Sequence, residues 1–253
     1  MQVSRVRGRV AAAVVLAVVM TGCGTHAGGG REYTPQNVPE ALGKDGASIV
    51  VGDPQAPVTV RMYEDPRCPV CEEFEQEGGA DGLEDFTRRH RVRTEYVMAS
   101  FLDDRAGSGS KRAVNALRAA LEAGKFVEYH EVLFDHQPVE QITGYTEADL
   151  LKLANQVEGL RSPAFDQAVK TMKYRDFVTA AQKAYDRSTP DGRGPGTPNA
   201  EINGRMMPED YRGHLFDTTG LTNLLRMIQA DPSGWDDAVN RANSSAPPLD
   251  SGN

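Results

Sequence analysis

Val58-Thr59-Val60-Arg61-Met62-Tyr63-Glu64-Asp65-Pro66-Arg67-Cys68-Pro69-Val70-Cys71 is the stretch on which the reading of this chain turns. Its first six residues alternate loosely and are rich in β-formers, which predicts a strand. From Pro69 to His90 the sequence carries helix formers with Phe74, Leu83 and Phe86, and Gly78-Gly79 and Gly82 predict a break or kink. Two cysteines therefore stand where a strand ends and a helix begins. The first turn of a helix offers unpaired N–H groups and about half a positive charge. A cysteine placed there has its thiolate, the reactive form, stabilised. Pro69 suits the first helical position, where its missing N–H costs nothing. Cys71 lies one turn further on the same face, so its sulfur can reach that of Cys68. The pair reads as a redox dithiol, with Cys68 attacking substrate and Cys71 resolving the mixed disulfide.

Working outward, Val92–Met98 alternates again and predicts a second strand. Strand, helix and strand make one βαβ unit, expected right-handed with parallel strands. Apolar stripes at helical spacing follow. They are Ala113, Leu117, Ala120 and Leu121; then Phe126, Tyr129, His130, Leu133 and Phe134; then Leu150, Leu151, Ala154 and Val157 behind Thr146 as N-cap; then Phe165, Val169 and Met172. Residues 105–186 are thus predicted all-helical. Asn199–Ile202 reads as a short strand, Asn203-Gly204 as a hairpin turn and Arg205–Met207 as its return. Leu221, Leu224, Leu225 and Ile228 predict a closing helix.

The chain has 253 residues and a net charge of −8, which argues against nucleic acid as a partner. Arg5, Arg7 and Arg9 precede an 11-residue apolar run, Val10–Met20, too short to span a bilayer but suited to a signal peptide over 1–22. Val19-Met20-Thr21-Gly22-Cys23 resembles a bacterial lipobox, although Met20 replaces the usual leucine. That resemblance implies a lipidated Cys23 at the start of the mature chain, anchored on the extracytoplasmic face of the cell membrane. Residues 23–47, rich in Gly, Pro and polar residues, read as a flexible tether, and 231–253 as a disordered tail. Cys68 and Cys71 are then the only mature thiol pair. An export signal implies an oxidising compartment, yet so short a loop gains little from a structural staple.

Neighbouring charges pull in both directions. Arg67 is expected to favour the Cys68 thiolate, while Glu72, Glu73 and Glu75 oppose a second negative charge. Glu75, four residues after Cys71, is read as a solvated glutamate in preference to a proton relay. A CxxC is also half of many zinc sites, and His130 and His136 have a zinc-finger separation. The 58 residues between Cys71 and His130 far exceed the roughly 12–15 of such fingers, so no metal is expected.

Three stretches together resemble the DsbA-like branch of the thioredoxin superfamily: the strand running into Cys68-Pro69-Val70-Cys71; Gly124-Lys125-Phe126-Val127-Glu128-Tyr129-His130-Glu131-Val132-Leu133-Phe134; and Gly196-Thr197-Pro198 ahead of Ile202-Asn203-Gly204. The resemblance covers about 48–230. It implies an α/β chain, a thioredoxin fold with an all-helical insertion: thioredoxin domain over 48–104 and 187–230, insertion over 105–186. It maps the nucleophile to Cys68, the second cysteine to Cys71, and a cis Thr-Pro pair bordering the substrate to Thr197 and Pro198. Two departures stand out. Members often carry an acid in the strand before the motif, where this chain has Met62, with Glu64 and Asp65 just after. The segment Pro190–Gly196 is unusually rich in Gly and Pro, so the loop there is expected to be longer or looser.

The resulting expectation is an extracytoplasmic thiol–disulfide oxidoreductase acting on exported proteins, foremost as an oxidase. It needs no cofactor, and a membrane redox partner would reset the Cys68–Cys71 pair. The alternatives are a reductase in the same compartment, or a lipid-tethered binding protein that keeps the fold without turnover.

Overall fold

The computed structural model describes residues 31–138 and 144–245. The signal peptide, the lipobox with Cys23 and the first part of the tether lie outside them, as do residues 246–253. Among the described residues six strands form one sheet: β1 (Glu40–Leu42), β2 (Ile49–Gly52), β3 (Val58–Glu64), β4 (Val92–Met98), β5 (Asn199–Ile202) and β6 (Arg205–Met206). Their spatial order is β1-β2-β4-β3-β5-β6. β3 and β4 are parallel, with Val58 beside Val92 and Glu64 beside Met98. Every other pairing is antiparallel.

Alternation along β3 assigns the two faces. Val58, Val60 and Met62 pack with Phe74, Leu83 and Phe86 from α1 (Pro69–Glu77) and α2 (Ala80–Arg88). On the opposite face Tyr63 joins Val97, Ala99 and Tyr185. Further down that face Arg61 lies beside Glu95 at 2.7 Å, a polar ladder that can face water. The predicted break between α1 and α2 falls at Gly78-Gly79. A Cβ on Gly78 would stand 2.8 Å from the Leu215 carbonyl oxygen, and the Gly79 N–H donates to that oxygen at 2.7 Å. Only glycine admits so close a backbone crossing.

Between β4 and β5 the described residues hold only helices and loops. The helices are α3 (Gly109–Glu122), α4 (Phe126–Asp135), α5 (Glu147–Leu153), α6 (Pro163–Thr171) and α7 (Arg175–Asp186), with short 3₁₀ turns at Phe101–Asp104 and Ala154–Gln156. Thr146 caps α5 in a capping box with Asp149, as its position predicts. Asn203 and Gly204 both take positive φ, 50° and 78°, the backbone that a two-residue hairpin requires.

Both ends differ from their expected disorder. Val38 is buried, β1 adds an edge strand, and the Glu40 carboxylate accepts the N–H groups of Phe126 and Val127 at 2.8 and 3.2 Å. The tether expected over 23–47 therefore includes ordered structure: edge pairing depends on backbone groups that composition does not reveal. Past α8 (Thr218–Ala230), the expected tail folds as α9 (Pro232–Ser245). Its anchor is Trp235, 1% exposed, whose indole donates to the Ile202 carbonyl at 3.1 Å. Trp235, with Ala238 and Val239 buried beside it, seats a helix of otherwise polar composition. Trp235→Phe is expected to cost about 1–2 kcal/mol in urea unfolding, through the lost hydrogen bond and the smaller ring.

Candidate active site

β3 delivers its last residue, Glu64, and a four-residue turn to the start of α1. Cys68 is the N-cap in extended geometry, with Pro69 in the first turn. Both cysteines are thiols; Cys68 is 8% exposed and Cys71 fully buried. Their acidities diverge. A hydrogen bond from Cys71 holds the Cys68 thiol down to about 6 against the burial that opposes it, helped by Thr197 and by the N–H groups of Val70 and Cys71. Burial, and the same hydrogen bond given to Cys68, push Cys71 well above the ordinary thiol value.

The loop ahead of β5 closes the site. The Thr197–Pro198 bond is cis, and the Thr197 carbonyl accepts from Cys68 Sγ at 3.4 Å. The glycine-rich segment before it is pinned rather than loose: the Gly194 N–H donates to Thr189 Oγ1 at 3.0 Å and the Gly196 N–H to the Tyr185 hydroxyl at 3.2 Å. Tyr185 in turn stacks on Phe101. Val70, between the two cysteines, is 44% exposed and sets an apolar side chain at the rim.

Arg67 behaves otherwise than expected. Its guanidinium turns into the protein, donating to Asp103 Oδ1 at 3.0 Å and to the Ala106 carbonyl at 2.8 Å. Asp103 also accepts the N–H groups of Ser110 and Lys111 at the start of α3. The charge of Arg67 is matched there, joining the cysteine turn to the helical insertion. Asp65 works alongside, accepting Ser110 Oγ at 2.6 Å and the Leu102 N–H at 3.1 Å; burial pushes its carboxyl up to about 7.

The acid sought in the strand is present two positions after Met62. Glu64 is fully buried, and desolvation, with the Cys68 charge adding to it, pushes its carboxyl up to about 8. Its charge also helps hold Cys71 protonated. Glu75, expected to be solvated, turns inward instead, its carboxyl raised well above its usual range by burial and by Glu64. Between the two stands His130, with Nε2 2.9 Å from Glu64 Oε2 and Nδ1 3.7 Å from Glu75 Oε2; burial lowers its basicity. His136 instead meets the Val132 carbonyl at the surface. The signal for this cluster was legible: His130 occupies an apolar stripe, and a buried imidazole requires a polar partner. Gln137 had no such signal. Its amide donates to the Pro66 and Cys68 carbonyls at 3.0 and 3.1 Å, bracing the cysteine turn from α4's far end.

A family model described as Thioredoxin matches residues 44–213. Among solved structures, oxidised BdbD from Bacillus subtilis aligns with a TM-score of 0.61 at 21% identity, covering 76% of this chain and 98% of that one. The reduced disulfide bond oxidoreductase DsbG from Mycobacterium tuberculosis aligns at 0.58 and 22% identity, covering 84% and 97%. MdbA, a thiol-disulfide oxidoreductase from Corynebacterium diphtheriae, aligns at 0.54 and 18% identity, covering 73% and 94%. At such identities the likeness is one of fold. A curated relative, the Na(+)/H(+) antiporter NhaA 1 of Mycobacterium sp. (strain KMS), is 31% identical over 155 residues, 61% of this chain. The match spans only 23% of the antiporter's length. No helix among the described residues is long and apolar enough to cross a membrane.

Proposed function

Since this chain belongs to the thioredoxin family, with the fold of the DsbA-like proteins, we propose that it is an extracytoplasmic thiol–disulfide oxidoreductase that oxidises exported proteins. The observation that carries this reading is the split between the two sulfurs: Cys68 lowered to about 6 and buried Cys71 raised. A substrate thiolate attacks Cys68 Sγ of the oxidised enzyme. The Cys68–Cys71 bond breaks, and Cys71 leaves and is protonated. A second substrate thiolate then attacks the substrate sulfur of the mixed disulfide and expels Cys68 as thiolate. Two electrons pass to the enzyme, and a membrane redox partner removes them to restore the disulfide. Low thiol pKa makes Cys68 a fast leaving group in the second step. Val70, Thr197 and Pro198 form the substrate-facing rim, where the Thr197 backbone can pair with an extended peptide. Cys23 supplies the lipid anchor, which mass spectrometry of the native N-terminal peptide tests; an unmodified Cys23 contradicts it.

The same split favours oxidation of substrate as the direction of electron flow. At pH 7 a thiol of pKa about 6 in place of about 8.5 stabilises the reduced form by about 1.4 kcal/mol, or about 30 mV of added oxidising power. The Cys68–Cys71 potential, measured by equilibration with glutathione, is expected in the oxidising half of the roughly −270 to −120 mV range of such motifs. A value near −270 mV would make the protein a reductase. A well-folded chain inactive in both insulin reduction and oxidative refolding would be a binding protein.

A further inference from the structure

From the cluster behind the cysteines we infer a binding site for one divalent first-row cation, of which zinc is the type, formed by Glu64, Glu75 and His130. One donor atom from each residue lies within 4.8 Å of the others. His130 lies against the two carboxylates through opposite ring nitrogens, Nε2 2.9 Å from Glu64 Oε2 and Nδ1 3.7 Å from Glu75 Oε2, so an ion takes the place of one of these contacts. Glu64 Oε1 and Glu75 Oε1 are buried and receive no hydrogen bond from a nitrogen or a hydroxyl, and the two carboxyls stand close enough to share a proton. Glu64 is fully buried, so water cannot satisfy that oxygen from outside. Such an orphan calls for a partner. A proton shared between the carboxylates would neutralise one charge; a dication neutralises both.

The approach to the cluster favours the dication. A cavity of about 390 Å³ opens onto Glu75 and His130 and is lined further out by Asp81, Glu84, Glu131 and Asp135, with no lysine or arginine in its wall. Arg88 is the nearby counter-charge, 3.8 Å from Glu84 on the exposed side. Clefts lined by one sign of charge concentrate the opposite ion. The donor set selects within the cations: an imidazole nitrogen with carboxylate oxygens suits Zn²⁺ and its neighbours better than calcium or magnesium, which take oxygen alone. On binding, the two orphan oxygens ligate, His130 ligates through one ring nitrogen, and its other nitrogen keeps a carboxylate as partner, a common arrangement around metal-bound histidine. The cavity leaves room for water as the fourth ligand. This site uses neither sulfur as a ligand and does not depend on the direction of the redox reaction.

The test uses the oxidised protein carrying Cys23→Ser, in which the disulfide withholds both active-site sulfurs from metal. Titration with Co²⁺ is expected to saturate at one equivalent, giving d–d absorption without a thiolate-to-cobalt charge-transfer band, and Zn²⁺ should displace it. Saturating Zn²⁺ should raise Tm, since the ion binds the folded chain. Glu75→Gln and His130→Gln should each weaken Zn²⁺ at least tenfold. No saturable equivalent, a thiolate band, or a loss under tenfold in a folded variant overturns the site. Should both variants fail to fold, the Tm of the parent protein decides, and an unchanged value at saturating Zn²⁺ overturns it equally.

Discussion

Replacing Cys68 by serine abolishes thiol–disulfide exchange, whereas Cys71→Ser leaves an enzyme that forms mixed disulfides and cannot release them. Cys68 is the sulfur that meets both the solvent and the Thr197 carbonyl; Cys71 is fully buried behind it. Without Cys71 no second sulfur is within reach to resolve the intermediate. The pH profile reports the same asymmetry. A thiol whose value is lowered to about 6 is anionic above that pH and is neutralised as pH falls through it. The alkylation rate of reduced protein should therefore rise with pH about a midpoint near 6, more than two units below the roughly 8.5 of free cysteine. The extra stability of the reduced form follows the same sign. It is full above about 8.5 and is lost as pH falls through about 6. Because the Cys71 hydrogen bond is the largest lowering influence, Cys71→Ala should move the midpoint up more than Cys71→Ser, whose hydroxyl can still donate. A midpoint at the free-thiol value in wild type would contradict both the mechanism and the oxidising potential drawn from it.

Asp103→Ala is expected to cost about 3–5 kcal/mol of folding stability, measured by urea unfolding of the oxidised protein, because it breaks a buried ion pair from one side. The Asp103 side chain is fully buried and that of Arg67 nearly so. The carboxylate takes three donors at once: the Arg67 guanidinium and the N–H groups of Ser110 and Lys111. Truncation takes the Asp103 charge away from the buried Arg67 guanidinium and removes the acceptor of the first N–H groups of α3. Asp103→Asn keeps an acceptor but removes the charge, so it should fall between the two. Since Arg67 adjoins Cys68, the damage should reach function as well: the cysteine turn loses its tie to the insertion, and activity should fall together with stability. An Asp103→Ala protein as stable as wild type would mean that this pair does not join the two parts.

Much of the fold was legible because local chemistry and periodicity agree along the chain. β3, α1, β4, the helical stripes and the Asn203-Gly204 hairpin each carry their own pattern, and the pattern of Val58, Val60 and Met62 even names the face they bury. β1 and α9 had no such pattern. β1 is three residues held by backbone pairing to β2, and α9 docks through Trp235 with Ala238 and Val239 buried beside it. The pairing of β1 is made by backbone groups and the acceptor for Trp235 lies 33 positions away, and composition reads neither.

The site divides in the same way. The sequence by itself determined that Cys68 and Cys71 occupy the start of a helix after a strand, since a spacing of three residues and a proline at the first helical position leave few other geometries for the two sulfurs. Tertiary structure alone decided where the charges go. Arg67 turns to Asp103, 36 positions on, and Glu64 meets His130, 66 positions on. A charged side chain removed from water must find its counterpart wherever the fold brings one. That choice depends on which elements pack together, which is not written in the residues flanking the charge.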